Sequence, residues 1–204
     1  MNPASKRLRD RLREATRAAI LDAAQAEFSA HGFSSGRMEE IARRAGVSVG
    51  TLYNYYEDRG ALLEALLERH RELLLSRVDD ALAKTARDGF EGRLRAFVGT
   101  VVEHFRENRA LVAVAIEEEL AGGRRNPKKV HTLRELSVRA EALIAQGVKE
   151  NALRRDDASM FPTYLVGILR SVAVRVLHSD ERIESDAATA AILRFFFQGA
   201  GKRP

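Results

Sequence analysis

The chain has 204 residues, 45% apolar and 31% charged, which suits a small domain plus a larger helical body and excludes a disordered protein. It has no cysteine, which excludes disulfides and thiolate metal sites and fits a cytoplasmic protein, and no apolar run approaches the roughly 20 residues of a membrane-spanning helix. The net charge of +5 favours an anionic partner such as nucleic acid.

Positive charge is concentrated at the N-terminus, where residues 1–17 hold six Lys or Arg residues against Asp10 and Glu14. Such an arm can contact DNA phosphates or the minor groove, or it can be a solvated, disordered tail, and the sequence leaves both open. Apolar residues at helical spacing predict a first helix over residues 14–30. Gly32 would cap this helix in the left-handed conformation, and Phe33 would fold back as an anchor.

Residues 37–56 have the spacing of a helix-turn-helix. Gly46 stands where the first of two helices must stop, because glycine adopts the left-handed conformation without a Cβ clash. Ser48 can cap the second helix through its hydroxyl. Apolar side chains fall where the two helices must bury them, at Ile41, Ala45, Val47, Leu52 and Tyr55.

The second helix of this motif then exposes a polar leading face, as a recognition helix does in a DNA major groove. That face consists of Ser48, Val49, Gly50, Thr51, Tyr53 and Asn54. The same spacing also occurs in an ordinary helical corner, so DNA binding and a plain structural turn are both compatible with it.

The remainder of the chain is predicted to be helical. Asp58 is positioned to cap a long fourth helix over residues 59–84, which would span both parts of the molecule. Apolar spacing interrupted by Gly and Pro predicts further helices over residues 91–107, 110–120, 128–149, 157–178 and 186–198. The fold class is therefore all-α, with about nine helices.

The last helix carries three consecutive phenylalanines, which cannot share one helix face and need at least two covering surfaces. This favours two C-terminal helices that meet their own copy in a four-helix interface, with a well-wrapped monomer core as the alternative. The candidate interface residues are Leu165, Leu169, Val172, Val176, Ile192, Phe195 and Phe196.

One set of residues in the first third of the chain forms a more specific pattern. It comprises Ala23, Ala24, Phe28, Gly32-Phe33, Ile41-Ala42, Ala45-Gly46-Val47-Ser48, Gly50-Thr51-Leu52-Tyr53, Tyr55-Tyr56 and Leu62-Leu63. In these residues the chain resembles the tetracycline-repressor (TetR) family of transcription regulators. The resemblance implies a DNA-binding domain over residues 1–57, an effector-binding and dimerisation domain over residues 58–204, and a two-fold dimer.

The chain departs from the usual family pattern at several positions. Gly36 and Arg37 replace two threonines, one of which usually caps the second helix, so that cap shifts to Ser35 or is lost. Arg37 instead brings a cation near a phosphate. Val49 replaces a frequent lysine with a side chain suited to a thymine methyl, and Arg59 replaces a common lysine while still suiting a phosphate.

The predicted DNA contacts follow from the resemblance position by position. They are Arg37, Ser48, Val49, Gly50, Thr51, Tyr53, Asn54 and Arg59. Tyr53 would donate its hydroxyl to a phosphate, and Val49, Gly50 and Thr51 would reach base edges. Gly50 costs about 1 kcal/mol of helix propensity against alanine, which a close approach to DNA or tight packing at the turn would explain.

The resemblance also implies a small-molecule cavity among the middle helices. Its candidate lining residues are Phe97, Val101, Phe105, Val114, Leu133, Leu136, Phe161, Tyr164 and Ile168, each of which could equally be ordinary core. Their character favours an apolar or amphipathic effector.

The function predicted is a cytoplasmic, ligand-responsive repressor that binds a palindromic operator as a homodimer, without cofactor, metal or membrane, and that the effector releases. The alternatives are an all-α enzyme and a helical adaptor that binds only protein. Against an enzyme, the chain has neither HExxH metal spacing nor a phosphate-binding glycine loop. Against an adaptor stand the basic arm and the polar face from Ser48 to Tyr53.

Overall fold

The computed structural model describes the backbone of residues 3–122, 131–178 and 184–200, and the side chains of residues 5–116, 132–175 and 184–199. These residues form nine α-helices and no β-strand, which confirms the all-α prediction. The helices are α1 (Pro3–His31), α2 (Met38–Ala45), α3 (Val49–Tyr55), α4 (Arg59–Lys84), α5 (Gly89–Glu107), α6 (Arg109–Gly122), α7 (His131–Lys149), α8 (Phe161–His178) and α9 (Ser185–Ala200).

Helix α1 is longer than predicted, because it begins at Pro3 rather than near residue 14. The extra turns carry no buried side chain, since residues 5–15 are all exposed, so no core-facing apolar pattern marks them in the sequence. Their residues are mostly strong helix formers such as Arg, Leu, Lys and Glu, which extend the helix by propensity rather than by packing.

The chain divides into two compact units, residues 1–70 and residues 71–204, and the boundary falls inside α4. In the first unit α1 packs against α2, and α2 packs against α3. Arg69 of α4 donates from Nη1 to Asp22 Oδ1 of α1 at 2.8 Å. The fully buried side chains of this unit include Ile20, Ala24, Ile41, Leu52, Leu62 and Leu66.

In the second unit α5 is the central helix and packs against α6, α7, α8 and α9. The core that these helices enclose with α4 is mostly apolar, with His104 and Thr189 as buried polar residues of this unit. Its apolar members include Val78, Phe90, Leu94, Phe97, Val101, Leu136, Leu165, Leu169 and Phe196. Arg139 of α7 also binds Asp79 of α4 through two hydrogen bonds of 2.7 Å. These bonds hold the pKa of Asp79 below its usual value and raise that of Arg139.

The three phenylalanines of α9 occupy different environments, as predicted from helix geometry. Phe195 is 68% exposed, Phe196 is buried, and Phe197 is half-buried. The Phe196 ring meets Phe161 edge-on at 6.1 Å between centroids, and the Phe197 ring meets Phe90 at 6.0 Å.

Most helix limits that the structure describes lie close to the predicted ones. The fourth helix has the predicted limits, and Asp58 caps it by accepting from the Ala61 backbone N–H at 2.7 Å. Helix α8 begins at Phe161, after a short 3-10 turn (Ala158–Met160), rather than near residue 157. The predicted start at residue 128 lies outside the described residues. No helix in the described part of the chain is long and apolar enough to cross a membrane.

Candidate nucleic-acid interface

The turn between α2 and α3 is built as the sequence predicts. Gly46 has φ 70°, the left-handed conformation that ends α2. Its N–H donates to Arg43 O at 3.2 Å, and the Val47 N–H donates to Ala42 O at 3.0 Å. These two bonds satisfy carbonyl groups that the end of α2 would otherwise leave unpaired, and they fix where α3 begins.

Ser48 caps α3, which confirms its predicted structural role. Its Oγ accepts from the Thr51 backbone N–H at 3.0 Å, and the two hydroxyl oxygens lie 2.8 Å apart. Leu52 is fully buried on the opposite side of α3. The cap and this buried anchor hold the first turn of α3 in one orientation.

The leading face of α3 is open. Val49 is 37% exposed and Tyr53 46%, and Gly50 and Asn54 are also exposed, while Thr51 is half-buried. These residues therefore present one apolar side chain, one phenol, one amide and bare backbone on a helix of only two turns.

The two tyrosines that follow have different roles. Tyr55 is half-buried, and its hydroxyl donates to Arg13 O of α1 at 3.5 Å. Tyr56 is only 7% exposed, and its hydroxyl has no hydrogen-bond partner among the described residues. Both tyrosines thus pack within the first unit.

Gly50 has no packing reason to be glycine. A Cβ built there would meet only the Ser48 Oγ, at 3.9 Å, which is ordinary van der Waals contact. Tight packing at the turn therefore does not explain the glycine. Gly36 is different, because a Cβ there would lie 2.6 Å from the buried Phe28 ring.

Glu27 of α1 holds the start of α2, a role that the sequence did not predict. Arg37 is the N-cap residue and is exposed, but it provides no side-chain cap. Its backbone N–H instead points at Glu27 Oε1 of α1, 3.5 Å away. The Glu27 carboxylate is buried and also pairs with His31 Nδ1 at 3.2 Å and with Arg44 Nε at 3.5 Å. A negative charge beside the N-terminus of α2 favours the helix dipole.

Arg59 braces the loop that precedes α2. Its Nη1 donates to Ser34 O at 2.8 Å and to Gly36 O at 3.4 Å, and its guanidinium lies 4.9 Å from the centre of the Phe33 ring. Phe33 in turn meets Phe28 edge-on at 5.5 Å. The predicted fold-back of Phe33 is thus present, with Arg59 stacked on it.

The exposed side of α2 carries a small charge cluster. Glu40 accepts from Arg43 and from Arg44, and these bonds, that of Arg43 foremost, lower the pKa of Glu40 to about 2. Glu40 thus stays ionised at any physiological pH and orients two arginines on the helix before the turn.

The predicted effector-lining residues lie in the second unit, with unequal burial. Phe97, Val101, Leu136 and Phe161 are at most 1% exposed and belong to its core, and Phe105 and Val114 are buried less completely. Leu133 and Ile168 are half-buried and pack against that core, whereas Tyr164 is 52% exposed. Among the described residues, no group of three or more His, Cys, Asp or Glu could hold a metal.

The predicted dimer-interface residues also differ in how deeply they are buried. Leu165, Leu169, Ile192 and Phe196 are buried inside the protomer's own core, and Val172 is half-buried. Phe195 is open to solvent, and the side chain of Val176 lies outside those described.

Comparison with known proteins decides the family. Residues 20–66, from α1 into α4, match the family described as "Bacterial regulatory proteins, tetR family". The HTH-type transcriptional activator FasR of Mycolicibacterium smegmatis is 28% identical over 192 residues, 94% of this chain and 86% of that protein. The chain belongs to the TetR family.

A second relative is also a transcriptional regulator, and a solved structure shares the fold. The HTH-type transcriptional regulator UidR of Escherichia coli K12 is 30% identical over 141 residues, 66% of this chain and 65% of that protein. The structure of FadR from Bacillus subtilis in complex with stearoyl-CoA has a TM-score of 0.71 at 18% identity, over 89% of this chain and 98% of that one. This TetR-family chain is a DNA-binding regulator of transcription, and its relatives are regulators rather than enzymes.

Proposed function

We propose that the exposed face of α3 reads the operator in the major groove. The single observation that carries this is the open leading face of α3, held in place by the Ser48 cap and the buried Leu52. Tyr53 reaches a phosphate, while Val49, Gly50 and Thr51 approach base edges, and Arg37, Asn54 and Arg59 add phosphate or base contacts.

The test sorts phosphate contacts from base contacts. Tyr53→Phe removes one exposed hydroxyl and should weaken binding to all duplexes alike, whereas Thr51→Val should change which base is preferred. Both affinities are measured by fluorescence anisotropy on an operator and on single-base variants of it. Altered base preference in Tyr53→Phe at unchanged overall affinity would show that the assignment is wrong.

We propose further that two copies pair through α8 and α9, and so present two α3 helices to a palindrome. The support is the surface that these two helices leave open. Tyr164 is 52% and Phe195 68% exposed, which is unusual for large apolar residues on packed helices. A Cβ at Gly167 meets nothing within 4 Å, so this glycine leaves room for close approach of another helix. The interface then uses Phe195 and the outer sides of the helices that bury Leu165 and Leu169.

Gly167→Arg tests this pairing, because arginine favours the helix and fits the open space of one protomer. We expect the variant to fold and to be monomeric by light scattering at concentrations where the wild type is a dimer. Its affinity for a palindrome should then fall to that for a half-site. Val138→Arg, at a 52% exposed position on α7, is the matched control. A dimeric Gly167→Arg variant would refute the interface.

We propose, third, that residues 58–204 bind an apolar or amphipathic effector among α5, α6, α7 and α8, and that residues 1–57 form the DNA-binding domain. The support is an apolar core whose edge, at Leu133 and Ile168, is incompletely buried. FadR of B. subtilis, which shares the fold, was solved with stearoyl-CoA. An effector that prefers one arrangement of the DNA-binding domains would shift the population towards it, and α4, which runs through both units, would transmit the change.

Stearoyl-CoA, stearate and free CoA are suitable probes for this effector site. Binding of stearoyl-CoA and of stearate, without binding of free CoA, would show that the site recognises the apolar acyl group. A thermal shift and loss of operator binding would support the proposal, and no response to the acyl chain would reject this class. We propose that the protein represses transcription in the cytoplasm and has no catalytic activity. Because FasR is named an activator, a promoter–reporter assay is needed to test whether this protein represses or activates.

A further inference from the structure

The N-terminal part of α1 is a regular helix that projects beyond its packed portion. Ile20 is the first buried residue of α1, and every side chain from Ser5 to Ala15 is exposed. At 1.5 Å per residue, the stretch from Ser5 to Ile20 is about 22 Å long, which corresponds to about 6 base pairs of duplex.

The cations of this extension are unevenly placed around the helix. At 3.6 residues per turn, Lys6 and Arg13 lie within about 20° of the middle of the side that α1 buries further along, at Ile20, Leu21, Ala23, Ala24, Glu27 and Phe28. Arg7 and Arg11 lie about 120° and 160° away from that middle. One face of the extension is therefore the direct continuation of the side that packs against α2.

The same face adjoins the recognition helix. The hydroxyl of Tyr55, the last residue of α3, donates to the backbone oxygen of Arg13 at 3.5 Å. Tyr53 and Asn54, exposed on α3, immediately precede that tyrosine in the chain. Arg13 thus lies beside the end of α3, and the other cations of the extension precede it along α1.

We propose that the Lys6–Arg13 face of α1 is a second DNA-binding surface, which contacts phosphates of the duplex flanking the bases read by α3. Residues 5–17 hold six cations and two anions, so the extension has the charge that a phosphate backbone requires, and its continuity with α3 places it on the same partner. Contacts of this kind add affinity and footprint without adding base preference. The inference rests on the proposed placement of α3 in the groove.

Two variants with equal net charge test it. Lys6→Gln/Arg13→Gln removes two positive charges from the proposed face, and Arg7→Gln/Arg11→Gln removes two from another side of the same helix. Glutamine has nearly the helix propensity of lysine and arginine, and circular dichroism checks that both variants keep their helicity. The probe is an operator duplex selected by the wild-type protein from a random library, prepared as the bare core and with 10 additional base pairs at each end.

Each lost phosphate contact lowers the salt slope of log K by about 0.9, so we expect the Lys6→Gln/Arg13→Gln slope to fall by about 2 per bound protomer. Its affinity should be about tenfold weaker at 0.15 M salt, and it should no longer distinguish the long duplex from the short one. The Arg7→Gln/Arg11→Gln variant should keep most of the slope and the preference for the long duplex.

Three results would overturn the inference. The first is an equal loss in both variants, which would indicate net charge alone. The second is a wild-type affinity that does not depend on the flanks. The third is a Lys6→Gln/Arg13→Gln variant that binds DNA normally but loses binding to phosphatidylglycerol vesicles, which would assign the face to a membrane. If the wild type selected no duplex at all, the proposed function itself would fail.

Discussion

Gly50 offers the sharpest separation between the stability of this protein and its function. Its Cβ position is open apart from the Ser48 Oγ at 3.9 Å, so alanine fits the free protein without strain. Replacing a helical glycine by alanine should stabilise the free protein by about 0.5–1 kcal/mol. For a chain of this size, that raises Tm by about 1–4 °C.

On DNA the same methyl group stands where we propose that the α3 backbone approaches the bases. Losing a well-fitted base contact costs about 1–3 kcal/mol, so operator affinity of Gly50→Ala should fall roughly 5- to 150-fold. Thermal unfolding and anisotropy titration, done on the same preparation, should therefore move in opposite directions.

Gly99→Ala is the matched control for this experiment. Gly99 lies within α5, and a Cβ there meets Thr189 at an ordinary 3.8 Å. This variant should also gain stability, but its operator affinity should stay unchanged. Full operator affinity and unchanged base preference in Gly50→Ala would refute the proposed backbone approach.

Three further predictions follow from the hydrogen bonds. Tyr56→Phe removes a buried hydroxyl without a described partner and should raise the free energy of unfolding in urea by about 1 kcal/mol, whereas a decrease would mean that the hydroxyl is satisfied. Ser48→Ala should cost about 1 kcal/mol in urea unfolding and Ser48→Gly only a few tenths, so equal losses would contradict the cap. Asp79→Asn should lower stability by less than about 1 kcal/mol, because the pair with Arg139 is partly exposed. Since that pair lowers the pKa of Asp79, the difference in Tm should be complete above about pH 5 and shrink as the pH falls below the unfolded value of about 3.9. A pH-independent difference would exclude this charge effect.

What could be predicted from the sequence is what depends on neighbouring residues. Gly46, Ser48 and Asp58 were identified because a left-handed cap and two N-caps each act within a few residues, and all three have these roles. The α1 extension was missed for the converse reason. Its helix is stabilised by propensity alone, and the boundary was placed where the apolar spacing begins.

What could not be predicted depends on residues far apart in sequence. Glu27 lies within the predicted first helix, and nothing local shows that its carboxylate lies beside the N–H of Arg37, ten residues later. Only two features of the sequence pointed to this role of Glu27. One is a charged residue among the apolar positions of α1, and the other is the lack of a threonine cap at the start of α2. Periodicity likewise identifies the apolar faces of α8 and α9, but it does not show which face covers the protomer's own core. Leu165 is fully buried there and Phe195 is not.

Arg59 stands where the family commonly has a lysine, and it also braces the loop before α2. Both of its described hydrogen bonds to the loop use Nη1, and a guanidinium has further N–H groups on Nε and Nη2. A single arginine can therefore hold the Ser34 and Gly36 oxygens, stack on Phe33 and still offer donors to a phosphate. A lysine ammonium has no planar face for this stacking and no fixed fork of donors. The bracing of this loop and the proposed phosphate contact are therefore compatible in one side chain.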